Sequence, residues 1–151
     1  MDAAGHVATL VRSADPDRYV ATLYAPAERR RDLFALYGFN AEIASVRERV
    51  REPMAGEIRL QWWRDAIVAP VGTMTGNPVV DELRRAIHAG DLPPKAFDDM
   101  LAARIFDLYD DPMPDRTTLE GYCGETASAL IQLASLILDA PAAAQDRKSV
   151  V

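Results

Sequence analysis

Carboxylates and arginines alternate in one short segment of the chain, and their chemistry limits what that segment can bind. Glu48 lies between Arg47 and Arg49, and Glu52 follows four residues later. Mg²⁺ takes oxygen ligands and typically binds one or two carboxylates together with substrate phosphates. A single carboxylate flanked by two guanidinium groups is a poor ligand set for that cation. Surface charge on a helix explains Glu48 and Glu52 as well as any role in a site does.

Arginines cluster at Arg29–Arg31 and again at Arg47, Arg49 and Arg51. The first interpretation is a solvated helix face whose arginines pair with acids one turn away. The alternative is a surface that meets anionic headgroups or a diphosphate. We do not expect general nucleic-acid binding, because it requires a cationic surface that neutralises phosphates and the net charge of this chain is −6.

The remaining chemistry-bearing residues do not form a recognisable catalytic pattern. His6 and His88 are far apart in sequence, and His88 is expected near a helix C-terminus, where a basic residue is favourable. Cys123 is either a reactive thiol or, as we expect, a small buried core residue. The chain has no phosphate-cradling glycine loop, nucleophile elbow or zinc spacing. We therefore predict no catalytic residue and no metal ligand.

The bulk composition is typical of one globular domain. The chain has 151 residues, of which 49% are hydrophobic and 26% charged. One cysteine allows no intrachain disulfide, and the first ten residues lack the features of a signal peptide. The longest apolar run, Ala127–Leu138, is interrupted by Gln132 and is shorter than the about 20 residues of a membrane span. We therefore expect a cytoplasmic protein without a transmembrane segment.

Capping residues and prolines predict an all-α fold of six or seven helices. Asp15-Pro16 and Asn77-Pro78 each place a capping side chain before a proline at the first helical position. The helix that begins at Pro78 is predicted to end at Gly90. Further helices are predicted from Pro26 to about Val50, over about Ala55–Ala69 and from Pro94 to about Asp110. The last predicted helix begins at a capping box formed by Thr117 and Glu120 and ends at about Asp139.

The segment Leu33–Ile67 resembles the first substrate helix of the squalene/phytoene synthase family. In that family, Tyr-Ala-Phe-Cys-Arg-x-x-Asp-Asp-x-x-Asp presents aspartates one helical turn apart to a Mg²⁺-bound prenyl diphosphate. Tyr37 and Phe39 match this pattern. The charged positions depart from it, because Ala41 replaces the arginine and Ala44 and Ser45 replace the paired aspartates. Glu48 stands at the last acidic position.

Other stretches between about Asp15 and Asp139 are similar to the same family. YCGETASALIQLASLIL keeps Tyr122, Cys123 and Ala127 of a later family helix and departs from it elsewhere. RLQWWRDAI resembles a recurrent family segment, although at least one of its adjacent tryptophans is expected to be a core residue. The replacements themselves look most like the divergent branch related to a mitochondrial complex I assembly factor, which keeps the scaffold and loses the aspartates.

The resemblance implies an isoprenoid-synthase-like helical array and, in active members, Mg²⁺-dependent head-to-head joining of two prenyl diphosphates. With the first aspartate motif degraded and the second absent, we expect this chain to be non-catalytic, to need no cofactor, and to bind a lipid or a protein as an assembly factor does. The alternative is an active phytoene- or squalene-synthase-type prenyl transferase at full length. A bound ligand would be faced by Tyr37, Asn40, Glu48 and Tyr122.

The same resemblance predicts partners and domain limits. The candidate partners are a prenyl diphosphate or other isoprenoid lipid and a protein of a membrane complex, at a location peripheral to the membrane. Residues 1–145 are expected to form the N-terminal part of a synthase-like domain. Residues 146–151, DRKSVV, resemble translated adapter sequence, so we expect them to be non-native and the natural protein to continue.

Overall fold

The computed structural model describes residues 1–70, 72–109 and 111–139, and within these ranges the chain is helical without strands. The all-α prediction and the isoprenoid-synthase-like array are therefore confirmed. The expected non-native tail, residues 146–151, lies outside the described ranges. The helices are α1 (Ala3–Ala14), α2 (Pro16–Leu23), α3 (Ala27–Ala44), α4 (Val46–Arg49), α5 (Pro53–Ile67), α6 (Pro78–Gly90), α7 (Pro94–Asp107), α8 (Arg116–Cys123) and α9 (Ala129–Leu138), with a π-helical turn (Gly124–Ser128) joining the last two.

Two predicted helix starts are confirmed in atomic detail. The Asp15 side chain accepts a hydrogen bond from the Arg18 backbone N–H at 3.3 Å and opens α2. The Asn77 side chain accepts from the backbone N–H groups of Val79 and Val80 and opens α6. Each cap supplies an acceptor to N–H groups that have no partner inside the helix.

Two predicted caps are wrong. Helix α8, where the last predicted helix begins, is capped by Asp115, whose carboxylate accepts from the Thr118 backbone N–H at 2.7 Å, and not by Thr117. A charged acceptor makes the stronger hydrogen bond. At the end of α6, Gly90 is still helical, and Asp91 takes the left-handed conformation with φ 48°. Aspartate tolerates that region better than most residues do.

Two features of the N-terminal half were not predicted. The first is α1, which begins after an Asp2 cap and buries Val7 and Val11. The second is a break at Ser45, which divides the long helix that the sequence predicts from Pro26 to Val50 into α3 and the single turn α4.

The core forms around α3, which contacts α1, α2, α6, α7 and α9. Phe39 of α3 is fully buried between Trp63 of α5 and Phe97 of α7, with ring centroids 5.6 Å apart in both pairs. Both contacts are edge-on, the arrangement that aromatic quadrupoles favour. These three rings fix α5 and α7 against the central helix.

A buried carboxylate joins α3 to α6. Glu82 is 4% exposed, and Arg31 donates to its two oxygens at 2.7 and 2.8 Å. Arg85 lies 3.5 Å from Glu82 and also donates to Asp32 at 2.7 Å. The Arg31 hydrogen bonds, opposed by burial, hold the pKa of Glu82 below its ordinary value. Arg31 therefore has a tertiary partner and not the acid one turn away that the sequence suggested.

The most apolar helix is α9, ALIQLASLIL, which buries four residues against the core. Among the described residues, no helix is both long enough and apolar enough to cross a membrane.

We predict that Glu82→Gln lowers the free energy of unfolding at neutral pH by about 2 kcal/mol, because charged hydrogen bonds to a buried carboxylate are lost. The folded pKa of Glu82 lies below its ordinary 4.5, so its stabilisation is complete above that value and declines as the pH falls through the folded pKa. The difference between the two proteins should therefore shrink in acid. Denaturant unfolding at several pH values measures it.

The matched control is Glu120→Gln. Glu120 pairs with Arg116 at 2.9 Å, but both side chains are more than half exposed. Exposed pairs contribute little, so this variant should stay within about 0.5 kcal/mol of the parent. Equal losses in the two variants would contradict the role assigned to Glu82.

Candidate functional site

The candidate site is the corner where α3 ends and α5 begins. The Ser45 hydroxyl donates to the Glu42 carbonyl at 2.9 Å at the end of α3. Val50 is extended, and so is Glu52, the residue before the proline that starts α5. A residue before proline disfavours the helical conformation, so the chain must turn here. The corner coincides with the positions where the family resemblance places its first aspartates.

The carboxylates at this corner are not arranged for a divalent cation. Ala44 is exposed and carries no ligand atom, and Glu48 is exposed on α4. The nearby Glu42 carboxylate accepts from Arg49 Nη1 at 3.0 Å. Within the described ranges, no three His, Cys, Asp or Glu side chains converge as a metal group would require. Positions 44 and 45, where the resemblance places the paired aspartates, therefore hold no carboxylate.

A cavity of about 260 Å³ opens at the same corner. It contains two guanidinium groups and one carboxylate, so its lining carries a formal charge of +1. Its apolar members come from α4, the turn after it and the first turn of α5. The lining residues are Glu42, Val46, Arg49, Val50, Ala55 and Arg59.

Arg59 belongs to this corner but was not singled out in the sequence. Its guanidinium carbon lies 5.2 Å from the centroid of the Trp62 ring. The sequence could have indicated this contact, because Arg59 and Trp62 are three residues apart and such residues are neighbours on a helix. Trp63 is fully buried and Trp62 is 37% exposed, so the prediction that at least one tryptophan is a core residue is confirmed.

Tyr37 and Asn40 lie on α3, before the corner. Tyr37 is half-buried, and the Arg18 guanidinium carbon is 5.8 Å from its ring centroid. Burial raises the pKa of Tyr37, and the charge of Arg18 partly opposes that rise. Asn40 is 9% exposed. Their assignment as ligand-facing residues stays a prediction, as does that of Glu48.

Tyr122, the fourth predicted site residue, belongs to a different cluster between α7 and α8. Its hydroxyl donates to the Asp107 carboxylate, at 2.7 and 2.9 Å from the two oxygens, and accepts from Arg104 at 3.4 Å. Burial first, and then the Asp107 hydrogen bond, raises the pKa of Tyr122. Tyr122 also lines a separate cavity of about 350 Å³ with Phe106 and Glu125.

Two other sequence predictions have clear outcomes. Cys123 is exposed, so its expected burial is wrong. The helix that carries it, α8, buries none of its residues, because it lies at the edge of the described fold. His88 does lie in the last turn of α6, as predicted.

Comparison with known proteins gives a consistent family result. The profile of the squalene/phytoene synthase family matches residues 11–150. Human NADH dehydrogenase (ubiquinone) complex I, assembly factor 6 is 32% identical over 130 residues, which cover 85% of this chain and 39% of that protein. The bovine protein is 31% identical over the same coverage. A Drosophila melanogaster homolog is 42% identical over 65 residues, 42% of this chain and 20% of its own length. The chain thus spans well under half the length of these relatives.

We predict that Tyr122→Phe lowers the free energy of unfolding by about 1 kcal/mol, because the Asp107 carboxylate loses a hydrogen-bond donor. Tyr24→Phe is the matched control, since Tyr24 is 88% exposed and should tolerate the same change. Denaturant unfolding of the two variants compares them directly. Equal stability would show that the Tyr122 hydroxyl does not hold α8 to α7.

Proposed function

The chain belongs to the squalene/phytoene synthase family, and on that basis we propose that it is a non-catalytic, assembly-type protein of a membrane complex. In this role it binds a protein or lipid partner at the membrane periphery and transfers no prenyl group. The observation that carries the proposal is the donor set at the α3–α5 corner. There the aspartate positions hold Ala44 and Ser45, and Glu42 is neutralised by Arg49.

The chemistry of prenyl transfer explains why this donor set matters. Ionisation of a prenyl diphosphate places negative charge on the departing diphosphate, and metal ions stabilise that charge. The corner offers the exposed carboxylates of Glu48 and Glu52 together with guanidinium groups, but no acid at positions 44 and 45. A guanidinium binds an anion directly but cannot hold a cation beside it. The corner is therefore suited to binding an anion and not to activating it through magnesium.

The relatives support the assembly-type role. The curated proteins that this chain resembles over 85% of its length are named as complex I assembly factors. Because the chain covers 39% of their length, the partner and the activity of the whole protein are part of the proposal. The family match itself favours the competing function, an active head-to-head prenyl transferase.

We predict no Mg²⁺-dependent pyrophosphate release from farnesyl or geranylgeranyl diphosphate, either by this chain or by the longest native polypeptide that carries it. A coupled pyrophosphate assay measures it. The double variant Ala44→Asp, Glu48→Asp of this chain should remain inactive, because the family resemblance implies that activity needs carboxylates on a facing helix as well. The control variant is Ala102→Asp, which adds one negative charge at an exposed position of α7, away from the corner.

Turnover by the native polypeptide would overturn the proposal in favour of the prenyl transferase. Turnover by the double variant alone would show that one acidic motif is sufficient and that the facing carboxylates are not required. The positive arm is affinity purification from detergent-solubilised membranes, where a subunit of a respiratory complex should co-purify with the native polypeptide.

A further inference from the structure

A cavity of about 350 Å³ lies between α6 and the connection that leads to it from α5. It is found at the C-terminal end of α5, whereas the α3–α5 corner is at the N-terminal end of that helix. Small-molecule sites occupy roughly 300–1,000 Å³, so this cavity is large enough for a small ligand only. Its apolar lining includes Ile67, Met74 and Ile87.

Arg84 lines this cavity, and within the described residues its charge has no carboxylate partner. The guanidinium donates to the carbonyl of Ala69 at 2.8 Å and to those of Pro70 and Thr73, which are neutral groups of the connection. A guanidinium carries five N–H donors. After these three hydrogen bonds, two of the donors are free to bind a ligand.

Asp81 lines the same cavity, one helical turn before Arg84. Its Oδ1 accepts from the Thr75 backbone N–H at 3.1 Å and from the Thr75 hydroxyl at 2.9 Å, and its Oδ2 accepts no hydrogen bond from the described part of the chain. Opposite charges three residues apart on a helix are neighbours and stabilise it by pairing. Asp81 and Arg84 form no such pair in the described fold, and each binds neutral groups instead.

The other titratable side chains of the lining leave this arrangement unchanged. Arg85 donates to Asp32 at 2.7 Å and lies 3.5 Å from Glu82, so two carboxylates offset its charge. His88 is exposed in the last turn of α6. The cavity therefore presents one positive and one negative group that have no ionic partner among the described residues, next to an apolar surface.

We propose that this cavity binds a small zwitterion of the α-amino acid type that carries an apolar side chain. The ligand carboxylate accepts from the two free donors of Arg84, its ammonium group donates to Asp81 Oδ2, and its side chain packs against Ile67 and Ile87. This site goes beyond the proposed function, because it is separate from the corner and requires neither a prenyl diphosphate nor a membrane complex.

Charge and geometry select this class of ligand. Residues three apart on a helix have Cβ atoms about 5–6 Å apart, so Asp81 and Arg84 can bind two charges attached to one carbon atom. A simple anion would meet the like charge of Asp81, and a simple cation would meet that of Arg84. The apolar lining favours an aliphatic side chain over the bare backbone of glycine.

The test uses L-leucine as the probe, titrated into the isotope-labelled full chain and followed through the backbone amide NMR signals of Gly72, Thr73 and His88. We expect saturable shifts of these signals. Two analogues each lack one charge of leucine, since isocaproate has no ammonium group and isoamylamine has no carboxylate. Each analogue should bind at least about tenfold more weakly than leucine, because a charged hydrogen bond is lost.

Arg84→Gln and Asp81→Asn should change the selectivity in opposite directions. Each variant should weaken leucine binding at least about tenfold. Arg84→Gln should leave the affinity for isoamylamine no lower than in the parent, and Asp81→Asn should do the same for isocaproate. If these side chains only held the connection in place, each variant would lose affinity equally for all three probes. Arg84→Lys keeps the charge and should bind leucine more tightly than Arg84→Gln does.

The matched controls are Arg116→Gln and Glu120→Gln, which remove one charge of each sign from α8. Both side chains are more than half exposed. Neither control should change leucine binding. Circular dichroism and denaturant unfolding establish that each variant is folded before affinities are compared.

The inference is wrong if leucine causes no saturable shifts, or if leucine and both analogues bind the parent equally. Tighter binding of isocaproate than of leucine would assign the cavity to a simple anion, and tighter binding of isoamylamine would assign it to a simple cation. Pyrophosphate release and co-purification, which test the proposed function, do not involve Asp81 or Arg84. The two proposals can therefore fail separately.

Discussion

The contact of Phe39 with Trp63 and Phe97 determines the geometry of the rest of the fold. Three fully buried rings from α3, α5 and α7 meet at centroid distances of 5.6 Å, so rotation of any of these helices would open the core. Because Trp63 points inward, its neighbour Trp62 must leave the core. The same contact that anchors α5 therefore leaves Trp62 at the surface, where it is 37% exposed and lies under the Arg59 guanidinium.

Charged side chains hold helices together in this protein, both inside the core and at the corner where the family resemblance places its aspartates. Arg31 and Glu82 connect α3 to α6 through two short hydrogen bonds, and Arg49 neutralises Glu42 at the corner. A buried carboxylate with a guanidinium partner is satisfied and stays ionised. Both ion pairs therefore stabilise the contacts between elements of the fold.

The chain belongs to the squalene/phytoene synthase family, and the end of α3 is where the resemblance places the aspartates. The helix that would present aspartates ends at Ala44, and the cavity beside it is lined by guanidinium groups. The assembly factors that resemble this chain match it over 85% of its length, so the similarity includes this corner.

The sequence by itself determined the fold class and most helix starts, because a cap is a local interaction between residues two or three positions apart, as at Asp15 and Asn77. The charge of the corner was equally readable, since it needs only residue types. Only the tertiary structure decided which groups meet. Glu82 and Arg31 are 51 residues apart, and Tyr122 joins Asp107 and not Tyr37. Their meeting depends on how helices pack, and packing is set by the whole core, so no local pattern encodes it.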